Sequence, residues 1–372
     1  MTNDQRPRVL IAMSGGIDSS VAAMLLLEQG YDLVGVTFRT FDSIKESCLA
    51  KEKGCCSVES IMEARHLAEQ LGFEHHILDF RETFRQHVIA NFVDEYRHGR
   101  TPNPCVLCNS HIKWGELIKA ADEYHCDYIA TGHYARIAER DGHFFLRRAA
   151  DTRKDQTYFL WMLTEDNLRR TIFPLGDYTK QQVREIALQH GFEKLSKKSE
   201  SQEICFVPNN DYREFLASEG VESTPGDYRD AAGKLLGRHA GYTNYTIGQR
   251  KGLGIALGTP AFVTGIDPAT NTVFLGEHDD LYTSDVRLQG GFFRGDSSQP
   301  VLAQIRYRSL PTAAHLTTND PYGTSRSFEA CPRKERQTTL RFDEPVWAVT
   351  PGQSAVMYQN DLLVGGGIIC NS

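Results

Sequence analysis

Over the first two hundred residues the apolar positions switch between two periods. "RVLIAM" (residues 8–13) is a short continuous apolar run rich in branched side chains, the pattern of a strand buried on both faces. After a glycine turn, "SSVAAMLLLEQG" reads as a mostly apolar helix closed by Gly30. "DLVGVTF" is the next strand, and "SIMEARHLAEQLG" is an amphipathic helix ending at Gly72. "EHHILDF" and "CDYIATGHY" read as further strands, the latter running into a turn. Units of this length imply an α/β fold, a doubly wound parallel sheet with helices on both faces, lasting to about residue 207.

The texture then changes twice. From about 208 to 283 it is glycine-rich turns and short extended pieces, which predict a small central domain. From about 284 it alternates strongly, as in "VRLQGGFF", "VLAQIRY", "QTTLRF" and "WAVTPGQSAVMYQNDLLVGGGII". Short strands separated by Pro-Gly and Asn-Asp turns predict a small β-barrel or sandwich. The expected division is therefore 1–207, 208–283 and 284–372. "TTNDPYGTSRSFEACPRKERQ" interrupts the alternation and reads as an exposed loop.

Composition narrows the class without choosing a function. The 372 residues carry ordinary proportions of apolar and charged side chains, and no apolar run reaches the roughly 20 residues of a membrane span. The first residues show no signal-peptide pattern, so a cytoplasmic protein with no membrane partner is expected. Nine cysteines there imply reduced thiols. A net charge of −7 argues against a protein coated in positive charge, but not against local basic surfaces such as Arg306–Arg308.

Two stretches carry candidate chemistry. Ser14-Gly15-Gly16-Ile17-Asp18-Ser19 lies between the first strand and the first helix. Its glycines let the backbone approach a ligand, and the helix start offers amides and a positive dipole end to an anion. It is neither a P-loop, which needs a lysine after the glycines, nor the dinucleotide fingerprint. The second stretch, "RTPNPCVLCNSHIKWGEL", sets Cys105 and Cys108 before an apolar helical face of Trp114, Leu117, Ile118 and Ala121. Asn109 and Ser110 are good N-cap types, so Cys108 is expected at a helix N-terminus with a lowered thiol pKa, and Cys105 in the loop before it. Alone, the C-x-x-C could be a redox pair, half a zinc site, part of an iron–sulfur site or two unrelated thiols. Cys205 follows a lysine-rich loop in which Lys197 and Lys198 could hold a sulfur anion. Cys126, Cys48, Cys331 and Cys370 read as buried small hydrophobes, and Cys55-Cys56 has no evident role.

The glycine loop resembles the pyrophosphate loop of the ATP pyrophosphatase superfamily, which implies an adenine nucleotide alpha-hydrolase-like fold and transfer of AMP to a carbonyl-type oxygen. "AMSGGIDSSVAA", "GCCSVESIMEARHLAEQLG", "GRTPNPCVLCNSHIKW", "TGHYARI", "KDQTYFL", "FPLGDYTKQQVREIA", "KSESQEICFV" and "YTIGQRKGLGI" together resemble the tRNA-specific 2-thiouridylase family, from about residue 8 to the C-terminus. The stretch around 315–335 is unlike that family. The resemblance implies thiolation of a tRNA wobble uridine: ATP, with Mg²⁺, adenylates the C2 oxygen, and a persulfide then delivers sulfur. Cys205 would carry the persulfide and Cys108 would be the nucleophile that forms a transient disulfide with it. Ala12, Met13, Ser14, Gly15, Gly16, Ile17, Asp18, Ser19, Phe38 and Gly132 would bind ATP. Asn103, Pro104 and Cys105 would embrace the target base; the family has Asp or Cys at the position of Cys105. His133, Lys154, Asp155, Gln156, Arg306, Tyr307 and Gln353 would contact the anticodon arm, and a separate protein would donate the persulfide. A competing expectation is an iron–sulfur-dependent thiolase with Cys105, Cys108 and Cys205 as cluster ligands.

Overall fold

A computed structural model describes residues 6–41, 58–197, 204–318 and 338–371. Cys48, Cys55, Cys56, Lys198, Cys331 and most of the 315–335 stretch lie outside the described residues. Two compact units divide the chain: Met1–Val88 with Cys105–Asn210 and Asp361–Leu363, and Ile89–Pro104 with Asp211–Asn360 and Val364–Ser372.

The strands in chain order are β1 (Arg8–Ala12), β2 (Asp32–Arg39), β3 (Glu74–Asp79), β4 (Tyr128–Ala130), β5 (Arg136–Arg140), β6 (His143–Arg147) and β7 (Thr171–Ile172) in the first unit. The α-helices are α1 (Ile17–Glu28), α2 (Val58–Leu71), α3 (Arg81–Phe84), α4 (Ala90–Arg97), α5 (Pro104–Leu107), α6 (Gly115–Glu123), α7 (Glu165–Arg169), α8 (Lys180–Gln189), α9 (Glu193–Ser196) and α10 (Tyr212–Ser218). The first unit is built on a parallel sheet of order β3-β2-β1-β4-β7. Val9, Leu10 and Ile11 of β1 are fully buried, as its unbroken apolar run requires. α1 is buried almost all round from Ile17 to Leu26, and it packs with α8 over one sheet face through Val183 and Ala187. The alternation does not continue unbroken to 207: β5 and β6 form an antiparallel hairpin joined at Asp141-Gly142, both with positive φ.

The second unit holds two β structures. β8 (Gly226–Arg229), β9 (Leu235–His239), β10 (Phe262–Asp267) and β11 (Thr272–Gly276) form a small sheet of order β10-β11-β8-β9 over a core of Tyr228, Tyr245, Val263, Val273 and Leu275. β12 (Tyr282–Phe293), β13 (Val301–Gln304), β14 (Thr312–Thr318), β15 (Thr338–Trp347), β16 (Ser354–Gln359) and β17 (Leu362–Ile369) run in the order β12-β15-β14-β13-β16-β17, and β17 pairs back onto β12 to close a barrel. Closure removes the exposed strand edges. The units are two rather than three and neither is contiguous, Asp361–Leu363 lying with the first. α4 and the loop after it, residues 89–104, belong with the β structures although they lie in the middle of the α/β sequence.

Candidate functional site

The strand order reverses at β1, with β2 on one side and β4 on the other, so the turn after β1 opens at the sheet's carboxyl edge where α/β folds bind ligands. Ala12 ends β1, and the Met13 amide still donates to Val36 O at 2.8 Å. Ser14 to Ser19 then fold into a knot of short bonds. The Ser14 amide donates to Ser19 Oγ (3.1 Å), while the hydroxyls of Ser19 and Ser20 donate to Gly16 O (3.1 and 2.9 Å). Gly16 is the N-cap of α1 with no side-chain cap, so the first amides of the helix lack intrahelical acceptors. Gly15 has φ +67°, and a Cβ there would be driven into the Ser60 carbonyl. A Cβ on Gly132, just past β4, would lie 2.6 Å from Ser19 N. Phe38, the penultimate residue of β2, meets Phe80 at 5.3 Å between ring centroids. The ten residues expected around ATP thus occupy the ends of β1, β2 and β4 on one edge. Such a cradle, with open amides and room only for glycine, fits a polyphosphate.

Two groups here had no sequence signal of their own. Lys180, the first residue of α8 and enclosed by the Thr179–Gln182 capping box, sends Nζ to both oxygens of Asp18 (2.7 and 2.8 Å). Tyr134 Oη also donates to Asp18 Oδ1 (2.8 Å). Asp18 is therefore already neutralised, and the residues fit Mg²⁺ only as an ion carried by the phosphates of a nucleotide. Behind the loop, Thr37 Oγ1 donates to Met13 O and so accepts from His75 Nε2, both at 2.8 Å. Burial lowers the pKa of His75 to about 4, with His76 adding to the effect.

The cysteine segment departs from expectation. The helix begins at Pro104, four residues before Cys108, because proline suits the first helical position and needs no amide partner. Cys105 is consequently inside the first turn. Cys108 opens a π-helical stretch, Cys108–Trp114, that leads into α6. Cys108 is not at a helix N-terminus, so the dipole argument for lowering its pKa falls. Asn109 is no cap either; it is buried and donates through Nδ2 to Phe159 O (3.0 Å). The expected apolar face does form, with Trp114, Leu117 and Ala121 fully buried. Widened turns of this kind re-aim side chains without ending the helix.

Cys105 reaches solvent, yet the protein crowded around it pushes its thiol pKa up, with Lys113 opposing. Lys113 Nζ lies 3.4 Å from His133 Nε2, and Thr131 Oγ1 is 2.8 Å from Nδ1. Burial first, and Lys113 second, hold the His133 pKa well below its ordinary value. The ammonium can only donate, so Nε2 carries the lone pair and Nδ1 the proton. His133 is thus a neutral imidazole and no cation for phosphate.

Cys205 is exposed on a turn whose next residue, Phe206, is buried against Phe84 (5.5 Å) and Phe41 (6.3 Å). One turn beyond Phe84, His87 stacks on His111 of the π-helical stretch at 4.8 Å. The helical residues 81–88 therefore touch both cysteine-bearing segments of the first unit. Cys108 is half-buried and Cys205 is exposed. Among the described residues no three His, Cys, Asp or Glu side chains gather as a metal requires, so Cys105, Cys108 and Cys205 are not assembled as a cluster ligand set. Cys126 is buried, its thiol pushed up to about 11 by burial, an inert small side chain.

The other expected residues are drawn into the framework. Asp155 accepts from the Ala149 amide (3.0 Å) and Thr157 Oγ1 (2.7 Å), and burial raises its pKa. Gln156 accepts from the Tyr134 amide at 2.8 Å, and Lys154 is half-buried beside them. In the second unit, Arg306 donates to Trp347 O (3.1 Å) and lies 5.4 Å over its ring. Gln304 Nε2 donates to the Tyr307 carbonyl. Gln353 gives Nε2 hydrogens to Thr101 O (3.1 Å) and Pro102 O (2.8 Å), just ahead of Asn103 and Pro104.

Three family models match consecutive stretches: a tRNA methyl transferase HUP domain over residues 7–209, a tRNA methyl transferase PRC-barrel domain over 213–277, and an aminomethyltransferase beta-barrel domain over 279–369. The chain is 46% identical over 371 residues to a tRNA-specific 2-thiouridylase MnmA of Amoebophilus asiaticus, covering 98% of this chain and 96% of that one. It is also 46% identical to the protein of the same name from Carboxydothermus hydrogenoformans, covering 98% of each. Among solved structures, a 4-thiouridine synthetase–RNA complex with bound ATP superposes with a TM-score of 0.38 at 19% identity, over 57% of this chain and 50% of that one, a likeness too weak to carry a functional argument.

Proposed function

The chain belongs to the tRNA-specific 2-thiouridylase family, and from that premise we propose that it replaces the C2 oxygen of a tRNA wobble uridine with sulfur in an ATP-dependent reaction. A uracil C2 carbonyl is a poor electrophile whose oxygen cannot leave. Transfer of AMP to that oxygen, with release of pyrophosphate, makes it a leaving group. Ala12 to Ser19, Phe38 and Gly132 hold the nucleotide, the amides at the start of α1 meeting its phosphates. Mg²⁺ bound with ATP screens phosphate charge.

The wobble base is turned out of its stack and held by Asn103, Pro104 and Cys105. Cys205 carries a persulfide whose terminal sulfur attacks C2, and AMP departs. The Cys108 thiolate then attacks Cys205 Sγ. The Cys205–sulfur bond breaks, its electrons leave with the sulfur now on C2, and a Cys108–Cys205 disulfide forms. An external dithiol reduces that disulfide and is itself oxidised, and a persulfide-bearing donor protein reloads Cys205. These reduced-thiol steps suit a cytoplasmic enzyme. The surface of Arg306 and Tyr307 contacts the anticodon arm, while the neutral His133 contributes a hydrogen bond rather than a charge.

The observation that carries this reading is the setting of Cys108 and Cys205 on one unit with the glycine cradle, both segments packed on the helical residues 81–88 through Phe84–Phe206 and His87–His111. Mass spectrometry of the wobble uridine after incubation with tRNA, ATP and a persulfide donor tests it. Cys108→Ser and Cys205→Ser should each lower 2-thiouridine formation at least about a thousandfold. Thiolation at the normal rate by either variant overturns the assignment of roles.

A further inference from the structure

Lys113 is a charged side chain that neither the nucleotide cradle nor the two thiols use. It lies half-buried in the π-helical stretch Cys108–Trp114, in the same unit as Cys105 and His133. Its ammonium meets an imidazole rather than a carboxylate, with Nζ 3.4 Å from His133 Nε2, and among the described residues no ion pair involves it. A cation drawn out of water without a carboxylate is costly, and such groups gather where a ligand supplies the negative charge.

The helix itself sets Lys113 in this place. In a regular α-helix the eight steps from Cys105 to Lys113 would leave the two side chains roughly 80° apart. Each π-type bond spans one residue more, so every residue turns the helix less. The stretch thereby brings Lys113 back over the face that carries Cys105. Its charge is felt at both neighbours: it opposes the upward shift of the Cys105 thiol and adds to the lowering at His133. The surroundings are rigid. Trp114 is fully buried with its indole N–H on Thr171 Oγ1 at 2.9 Å, and its ring lies 5.6 Å from that of His133. Thr131, also buried, fixes the imidazole from the other side through Nδ1 at 2.8 Å. A neutral imidazole, a hydroxyl and a thiol with a raised pKa bring no anion of their own. The anion for Lys113 therefore comes with the substrate.

Thiolation generates such an anion. The adenylated base has given its N3 proton to water and carries a C2=N3 double bond. As the persulfide sulfur bonds to C2, the π pair of that bond moves onto N3 and, by conjugation, O4. When the pair returns, the C2–O bond breaks and AMP leaves with its electrons. A fixed cation beside the ring stabilises most the state between, where the charge is greatest. We propose that Lys113 is a catalytic residue, the ammonium that hydrogen-bonds to the uracil ring and holds the negative charge formed when sulfur adds to C2. This inference rests on the thiolation reading above. A tRNA phosphate is the competing anion, and the experiment separates the two.

Lys113→Gln keeps a donor for His133 and removes the charge, while Lys113→Met removes both. In single turnovers with Cys205 loaded by a persulfide donor, both variants should release pyrophosphate and bind tRNA within about threefold of the wild type. Both should form 2-thiouridine at least about a hundredfold more slowly, the loss expected when one charge-stabilising donor is removed. Normal sulfur transfer by Lys113→Gln overturns the proposal. A Gln variant at least about tenfold faster than the Met variant also overturns it, because the hydrogen bond to His133 would then carry the effect. A loss that lies wholly in tRNA affinity assigns the ammonium to a phosphate, and an equal loss of pyrophosphate release moves it away from the sulfur step; either result overturns the proposal. If the wild type itself forms no 2-thiouridine, it is the thiolation reading that has failed.

Discussion

The glycine loop at 14–19, proposed to hold the nucleotide, and the proline loop at 100–104, proposed to hold the base, both feed a helix, yet they are held in opposite ways. Residues 14–19 are fixed by steric contact and by bonds among themselves: Ser14 to Ser19, Ser19 and Ser20 to Gly16, with Gly15 against Ser60 and Gly132 against Ser19. Residues 100–104 are held from outside: Arg100 by Glu95, five positions earlier, and Thr101 and Pro102 by Gln353 and Pro351, some 250 positions away in sequence. A self-supporting loop leaves a compact motif. A loop held from outside leaves a local Glu95–Arg100 pair, two prolines and a distant glutamine that nothing in the sequence joins to them.

If the nucleotide loop is held by close approach, the largest effect should come from filling that approach. Gly132→Ala places a Cβ 2.6 Å from Ser19 N and 2.7 Å from Asp18 C. Backbone cannot yield as a flexible side chain does, so tRNA-dependent pyrophosphate release should fall at least about a hundredfold. An alanine variant that releases pyrophosphate normally would break the contrast, because the loop would then tolerate displacement.

A smaller effect is expected at the charge beneath the loop. Lys180→Met keeps the aliphatic stem and leaves the Asp18 carboxylate without its ammonium. Stability in urea should drop by about 1–3 kcal/mol, and ATP should bind roughly tenfold more weakly against an unpaired carboxylate. Asp18→Asn added to Lys180→Met should recover part of the stability; no recovery would show that Lys180 acts by packing alone.

The smallest effect sharpens the comparison through pH. His75 supports Met13 by way of Thr37, and its folded pKa of about 4 lies below the ordinary histidine value. A depressed folded pKa means the unfolded chain takes up the proton first, so stability is full above about pH 6.5 and is lost as pH falls toward 4. His75→Gln removes that term. The difference in unfolding free energy between wild type and variant should shift by about 1 kcal/mol between pH 7 and pH 5, solvent screening of the half-buried ring reducing the full linkage term, against the wild type at the lower pH. A parallel pH dependence in the two proteins would remove His75 from the support of the loop.

Much of the α/β unit was legible because its signals are local. The buried run of β1, the glycines after it and the apolar helix that follows form one supersecondary unit whose period and turn chemistry survive in sequence. The apolar face of Trp114, Leu117 and Ala121 was legible for the same reason. The start of that helix was not. Asn109 is a good cap type, but Pro104 nucleates the helix earlier and burial claims Asn109 for Phe159. Lys180 on Asp18 and Lys113 beside His133 are pairings between separate elements, and no spacing rule reaches that far.

By itself the sequence determined the order of the strands and helices, the glycine cradle and which cysteines were candidates, because period, turn residues and motif spacing act over a few residues. Only the tertiary structure decided which unit holds residues 89–104 and that Asp18 is already paired. It also decided that His133 is neutral and that Gln353 Nε2 donates to the Thr101 and Pro102 carbonyls of the proline loop. Each of these depends on burial and on donors brought from far along the chain, and those exist only once the chain has folded.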